Sequence, residues 1–414
     1  MKILYLHQHF TTPEGSTGTR SYEFARALIK QGHTVTMICG SHNLAKTGLT
    51  GDYKKNIRRG FVDGIEVIEI HQPYSNHDGL FKRAFKFLKF SLRSIKLVLT
   101  EKYDLIYATT TPLTIGIPAM AAKILRNKNY IFEVRDLWPE LPKAMGVIKN
   151  PLILKSMSVL EFGSYRLAKH CVGLSPGIVD GIMRRGVKRH NISLIPNGCD
   201  EGFLEKNKSL NKPNGFDPED FIAVFTGAHG EANGLESLID VARELKNLNN
   251  QNIKILLIGD GKEKIKLIKK SQEENLTNLI FWDPIPKLEL ENILQQVDLG
   301  LMILKNIPAF YYGTSPNKFF DYIAAGLPVL VNYPGWLADL INQNKCGLAI
   351  SPEDPQRFAE GLIELARDKN KLKQMGQSAR ELALREFSRE KLAVEFVGCL
   401  ERVSDKKCRK FGAS

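Results

Sequence analysis

Strand-like apolar runs alternate with helical patterns along almost the whole chain, and they do so in two successive series. The first opens with KILYLHQ from Lys2, a helical pattern over 20–29 and TVTMIC from Thr34, and continues through DLIYATT, NYIFEVR and HCVGLS. The second opens with FIAVFTG at Phe221, continues with IKILLIGDG at Ile253, and ends in VDLGLMIL and LPVLVNY. Such alternation demands parallel strands joined by helical crossovers, so the fold class is α/β. The polar stretch 206–220, KNKSLNKPNGFDPED, reads as a linker. A chain of 414 residues also exceeds one ordinary core. The expectation is two doubly wound domains, 1–205 and 221–387, with a last helical stretch over 388–405. Ligands of such sheets sit beyond the carboxyl ends of the strands, so chemistry is sought in the βα loops.

Composition narrows the function classes. No apolar run approaches the roughly 20 residues of a membrane span, and Met1 leads directly into a strand rather than a signal peptide. The six cysteines are scattered without paired spacing, which points to neither a disulfide framework nor a zinc site and places the chain in a reducing cytoplasm. A net charge of +13 favours an anionic partner: nucleic acid, an acidic membrane or a phosphorylated substrate. Nucleic acid is the weakest of the three, because no nucleic-acid-binding motif is present. The terminal cluster Lys406, Lys407, Arg409 and Lys410 reads as a solvated tail.

The most informative run is SPNKFFDYIAAGLPVL, 315–330. A turn at Ser315, Pro316 and Asn317 leads into a short helix with Lys318 and Asp321 one turn apart, closed by Ala324, Ala325 and Gly326. A helix N-terminus suits a phosphate. A cation in the first turn opposes the helix dipole, so Lys318 calls for an anionic ligand, and Asp321 has the chemistry to accept hydrogen bonds from a ribose diol. Residue types alone fit an ordinary helix–strand junction equally well.

Other loops carry weaker signals. The first βα turn, QHFTTPEGSTGTR (8–20), holds Gly15 and Gly18; its residues alone read as a flexible connector, although a phosphate at the next helix would be reasonable. IFEVRDLWPELP from Ile131 sets Arg135, Asp136 and Trp138 just past a strand end, where Asp136 is either a helix cap or a cleft residue. FTGAHGEANG from Phe225 offers Gly227, Gly230 and Gly234 as a pyrophosphate cradle. His229 in that loop reads as incidental. IGDG, ending at Gly261, lacks a third glycine, so a nicotinamide site is poorly supported. Pro196, Asn197 and Gly198 read as an interdomain hinge.

The helical segment 81–99 stands apart. Phe81, Phe85, Leu88, Leu92, Ile95 and Leu99 recur at helical spacing; Lys82, Arg83, Lys86, Lys89, Arg93 and Lys96 lie off that stripe, and no acid interrupts it. Either the stripe packs on the sheet with its lysines outward, or the helix docks on an anionic bilayer. Phe87, Phe90 and Leu97 widen the apolar arc beyond one packing face, which favours the membrane.

The run 315–330 resembles the donor-site helix of glycosyltransferase family 4, enzymes of the GT-B fold. Typical members carry two acids eight positions apart, the second opening a run like E-A-M-A-x-G-x-P-V. Asp321 falls on the second acid, but Gly313 stands where the first would be. The match is closer to a bacterial subgroup that transfers N-acetylated amino sugars such as N-acetyl-L-fucosamine, through its P-[SN]-K-x-[FL]-[ED]-Y-x-A-A-G and V-R-D-L-W-P runs. The chain departs from the wider family at Ala228 and Asn233, where an Arg and a Lys are usual.

The resemblance extends over essentially the whole chain and implies two Rossmann-like domains facing across a cleft, with helix 388–405 crossing back to the first. It implies a retaining, metal-independent transferase that needs no cofactor beyond its donor. The donor would be a UDP-sugar and the acceptor a polyprenyl-diphosphate-linked glycan of capsule or O-antigen assembly, at the inner face of the cell membrane. Asp136 would orient or activate the acceptor hydroxyl, with Arg135 and Lys318 balancing the departing diphosphate. Asp321 would hold the ribose, and Asn317, Pro316, Gly227, Gly230 and Gly18 would line the donor. Residues 282–285 would border the nucleobase. A UDP-sugar 2-epimerase shares the architecture, and a non-catalytic assembly scaffold would also tolerate Gly313, Ala228 and Asn233.

Overall fold

The computed structural model describes residues 1–42, 45–73, 78–199 and 211–404. The first residues of the expected linker, 206–210, and the basic cluster after residue 405 lie outside the described residues. The chain divides into two compact units, the first made of Met1–Pro196, Gly313–Ser315 and the C-terminal helix from Glu390, the second of Asn197–Tyr312 and Pro316–Arg389.

The first unit runs β1 (Lys2–Leu6), α1 (Arg20–Lys30), β2 (Thr34–Gly40), β3 (Ile57–Val62), β4 (Ile65–Ile70) and α2 (Leu80–Thr100). It continues with β5 (Leu105–Thr109), α3 (Gly116–Arg126), β6 (Tyr130–Val134), α4 (Glu140–Ala144), α5 (Pro151–Arg166), β7 (His170–Gly173), α6 (Pro176–Arg184) and β8 (Ile192–Leu194). Its sheet order is β3-β4-β2-β1-β5-β6-β7-β8, parallel except for the β3–β4 hairpin. Asp63 and Gly64, both at positive φ, make that turn. Every residue of β5 and β6 is buried, as expected of strands covered on both faces. Strand order reverses at β1/β5, so the loops after β1, β5 and β6 converge there.

The second unit runs β9 (Phe221–Thr226), α7 (Glu236–Asn247), β10 (Ile253–Ile258), α8 (Lys264–Glu273), β11 (Leu279–Trp282), α9 (Lys287–Leu294), β12 (Leu299–Met302) and α10 (Pro308–Gly313). Then follow α11 (Asn317–Ala325), β13 (Val329–Val331), α12 (Trp336–Asn344), β14 (Gly347–Ala349), α13 (Pro355–Arg367) and α14 (Lys369–Glu386). Its six parallel strands take the order β11-β10-β9-β12-β13-β14, with the reversal at β9/β12. Apolar side chains of α7, α8 and α13 fill one face of this sheet, and those of α9, α11, α12 and α14 the other. These are two Rossmann-like α/β domains. The last helix, α15 (Arg389–Ser404), belongs to the first unit, where Phe396 stacks on Phe24 of α1 with ring centroids 4.3 Å apart.

Helix α2 divides its apolar residues between core and surface. Phe87, Phe90, Ser91, Ser94 and Val98 face the sheet, whereas Phe81, Phe85, Leu88 and Leu92 of the stripe point to solvent. Packing is achieved by the residues expected to widen the arc, because Ser91 and Ser94 donate to the carbonyls of Phe87 and Phe90 and so need no water. Among the described residues no helix is long and apolar enough to cross a membrane.

Candidate functional site

In the second unit the convergence point is built by α11 and by the loop after β9. Asn317 begins α11, Pro316 precedes it in an extended conformation, and no side chain caps this N-terminus. Lys318 therefore lies in the first turn. Its Nζ rests 3.4 Å from the centroid of the Phe225 ring and has no acidic or hydrogen-bonding partner among the described residues. A Cβ on Gly227 would come within 3.3 Å of that Nζ. Lys318 is half-buried, and partial desolvation with no counter-ion among the described residues holds its ammonium below the usual lysine range.

The loop itself is tightly fixed. Gly227 (φ +130°) donates to the Ile258 carbonyl, and His229 donates its backbone N–H to Asp260 while accepting from Glu263. Any side chain on Gly259 would strike the Gly227 carbonyl. The Tyr322 hydroxyl accepts the Thr226 N–H at 2.9 Å, pinning the end of β9 to α11. His229 is fully buried, and neither ring nitrogen has a hydrogen-bond partner among the described residues. Burial, then the neighbouring Lys264 and Lys318, brings its pKa down to about 4, so the ring is neutral at pH 7. Above Gly230 a Cβ would meet nothing within 4 Å. Asn233, standing where a Lys is usual, donates to the Ala228 carbonyl and shapes the loop instead.

Asp321 lies one turn further along α11. It is buried, and its Oδ1 is 3.3 Å from Nζ of Lys287, at the start of α9.

In the first unit, Arg135 and Asp136 follow β6 directly. Arg135 Nη1 lies 3.2 Å from His7 Nε2, and His7 Nδ1 bonds the Ser21 hydroxyl. With arginine donating to Nε2, the proton of the ring sits on Nδ1 and points at Ser21. Burial first, then Arg135, lowers the His7 pKa well below its ordinary value, which keeps that tautomer neutral. Thr111, after β5, donates to Asp136 Oδ2 at 3.1 Å, while burial raises the Asp136 pKa against the pull of Thr111 and Arg135. Gly18 is half-buried in the loop that closes on α1.

Beneath these groups lies a network that sequence reasoning missed. Arg20, buried at the head of α1, donates to Glu133 Oε2 through Nε (3.0 Å) and Nη2 (2.7 Å), and to the Ile195 carbonyl. Tyr107 and Thr109 donate to the same carboxylate. Burial alone would raise the Glu133 pKa, but Arg20 and Arg135 prevail and lower it. A lone Glu within the apolar strand YIFEV was the available signal, since a buried carboxylate requires a buried cation. Among the described residues no three His, Cys, Asp or Glu side chains cluster as metal ligands.

Both halves of the chain match known protein families. Residues 15–198 match the Glycosyl transferase 4-like domain, and residues 206–382 match Glycosyl transferases group 1. The D-inositol 3-phosphate glycosyltransferase of Corynebacterium urealyticum is 24% identical over 441 aligned residues, 96% of this chain and 94% of the relative. Anabaena HepE, solved in complex with UDP and glucose, superposes with a TM-score of 0.70 at 17% identity, over 97% of this chain and 99% of that one. Sucrose-phosphate synthase of Thermosynechococcus elongatus gives 0.72 at 18% identity, over 97% and 98%.

Proposed function

We propose that this chain, a glycosyltransferase of the GT-B fold whose halves are a 4-like domain and a group 1 domain, moves a sugar from a UDP-linked donor to a lipid-linked glycan. The observation that carries the donor assignment is Lys318: a half-buried cation with no acidic partner among the described residues, at the uncapped start of α11 and against the Gly227 loop. A diphosphate supplies the missing counter-charge, and the helix N-terminus and loop N–H groups add to its stabilisation. The open space above Gly230 lets a ligand approach the backbone. As the glycosidic bond to the diphosphate breaks, negative charge grows on the leaving oxygen, and Lys318 offsets it. HepE, which binds UDP and glucose, supports a uridine donor.

Asp321 keeps its expected role at the ribose diol, with Lys287 beside it to orient the carboxylate. Asp136, its pKa raised by burial and its orientation set by Thr111, takes or orients the proton of the acceptor hydroxyl. The finer reading retains an N-acetylated amino sugar such as N-acetyl-L-fucosamine, retention of configuration, and a polyprenyl diphosphate acceptor of surface-polysaccharide assembly. The exposed stripe and lysines of α2 would hold the enzyme on the inner membrane face.

Thermal unfolding of the wild type and of Lys318→Met with UDP, GDP, dTDP and ADP tests the donor site. Stabilisation by UDP in the wild type and its loss in the variant is the expected result. No shift with any nucleotide, or an equal shift in both proteins, refutes it. Release of a new sugar nucleotide without acceptor would identify an epimerase, and UDP binding with no turnover a scaffold.

A further inference from the structure

Helices α2, α3 and α5 lie side by side over one face of the first unit's sheet, with α3 in the middle. Each buries an inner side: Phe90 and Val98 on α2, Ala119 and Ala122 on α3, Tyr165 on α5. In a layer facing water the outer sides would be mostly charged. Here they are apolar on all three. Phe81 is 87% exposed on α2, and Ile124 is exposed on α3. On α5, which nothing in its sequence had singled out, Leu152 (76% exposed), Val159 (65%) and Phe162 recur along one side with Lys155 among them.

The charges are equally one-sided. Neither α2 nor α3 contains an acid, and the one acid of α5, Glu161, is buried against Arg185. Every exposed charged side chain on the three helices is therefore Lys or Arg. A second copy of the chain would set these like charges against one another. A layer of anionic headgroups instead supplies opposite charge at the depth of the lysines and hydrocarbon at the depth of the apolar side chains.

We infer that the protein lies on anionic lipid through this three-helix face, with α5 as a second point of insertion beside α2. The inference extends the membrane reading of α2 given above. A single amphipathic helix fixes a line and leaves rotation about its axis free. Two ridges, on helices of about 31 and 24 Å separated by α3, define a plane and so fix the orientation of the domain on the bilayer.

Co-sedimentation with vesicles of phosphatidylglycerol and phosphatidylcholine, against phosphatidylcholine alone, tests it without any sugar donor or acceptor. Failure of the UDP-sugar reading would therefore leave this result standing. Leu152→Glu with Val159→Glu on α5, and Phe81→Glu with Phe85→Glu on α2, are each expected to weaken binding to anionic vesicles about tenfold or more. Unchanged urea midpoints would show that both proteins fold. Val159→Cys, labelled with an environment-sensitive dye in a Cys408→Ser background, should shift to the blue on anionic vesicles; the five described cysteines are buried and do not compete. If the α5 variant binds as the wild type and the dye stays in water, the inference is wrong even when the α2 variant fails to bind. Conversion of a dimer to a monomer by the α5 substitutions, with vesicle binding intact, would overturn it in favour of a second copy.

Discussion

Replacing Lys318 by Met should raise the stability of the free protein while weakening nucleotide binding. The ammonium sits over Phe225 with no acid partner among the described residues, and its pKa is well below the usual 10.5. The unfolded chain thus holds this proton more tightly than the folded one. Stability consequently rises with pH between the folded pKa and the unfolded value, by up to about 1.4 kcal/mol per pH unit. Methionine keeps the contact with the ring without the charge. Lys318→Met should unfold at a higher temperature than the wild type at pH 7, and the gap should close as pH approaches the ordinary lysine range. With UDP the order reverses: a charge-assisted phosphate contact contributes about 1.5–3 kcal/mol, so affinity should fall roughly 10- to 150-fold. A bound phosphate also pulls the Lys318 pKa upward, so binding takes up protons at pH values above the folded pKa. Titration calorimetry in buffers of different ionisation heat should detect that uptake in the wild type and not in the variant. His229 does not confuse the reading, since burial is the main cause of its low pKa and it stays neutral at pH 7. A variant less stable than the wild type at pH 7, with unchanged UDP affinity, would refute the argument.

Asp136→Asn should lower kcat by about 10²–10⁴-fold yet leave stabilisation by UDP intact; equal loss of both would remove its role in proton transfer. Arg20→Met strips Glu133 of its main partner and should cost about 3–5 kcal/mol in urea unfolding. Phe90→Ala should cost about 3–5 kcal/mol, whereas Phe85→Ala, on the exposed side of the same helix, should stay within about 0.5 kcal/mol.

The fold was legible because a parallel sheet leaves a repeated mark: buried strands such as LIYAT and YIFEV are continuous apolar runs, and helices fill the intervals between them. The β3–β4 hairpin went unread, although Asp63–Gly64 is a two-residue turn signal, because its strand IRRGFV alternates poorly. At the site, sequence placed Lys318 in the first turn of a helix and Gly227 at the end of a strand. Only the family resemblance put both at one donor; the residues alone did not, since their contact depends on β9 and β12 being neighbours across the strand-order reversal. The partner of Asp321 was hidden for the same reason: Lys287 is 34 residues away and lies on another helix.

Helix α2 shows a different limit. Periodicity fixes the axis of an amphipathic helix, but when apolar residues occupy most of the circumference it does not say which arc turns inward. The usual tie-breaker, that serines face water, fails here because Ser91 and Ser94 satisfy their hydroxyls on the helix's own carbonyls. Their small size also suits a helix that packs closely on α3. With the inner arc so supplied by Phe87, Phe90 and Val98, the stripe from Phe81 to Leu92 is apolar surface that folding does not use. Leaving it in water gains the folded domain nothing, and the matching surplus on α5 cannot be ascribed to the same helix. Two separate apolar surpluses on one layer, on helices whose exposed charges are all Lys or Arg, are the observation on which the proposed lipid contact rests.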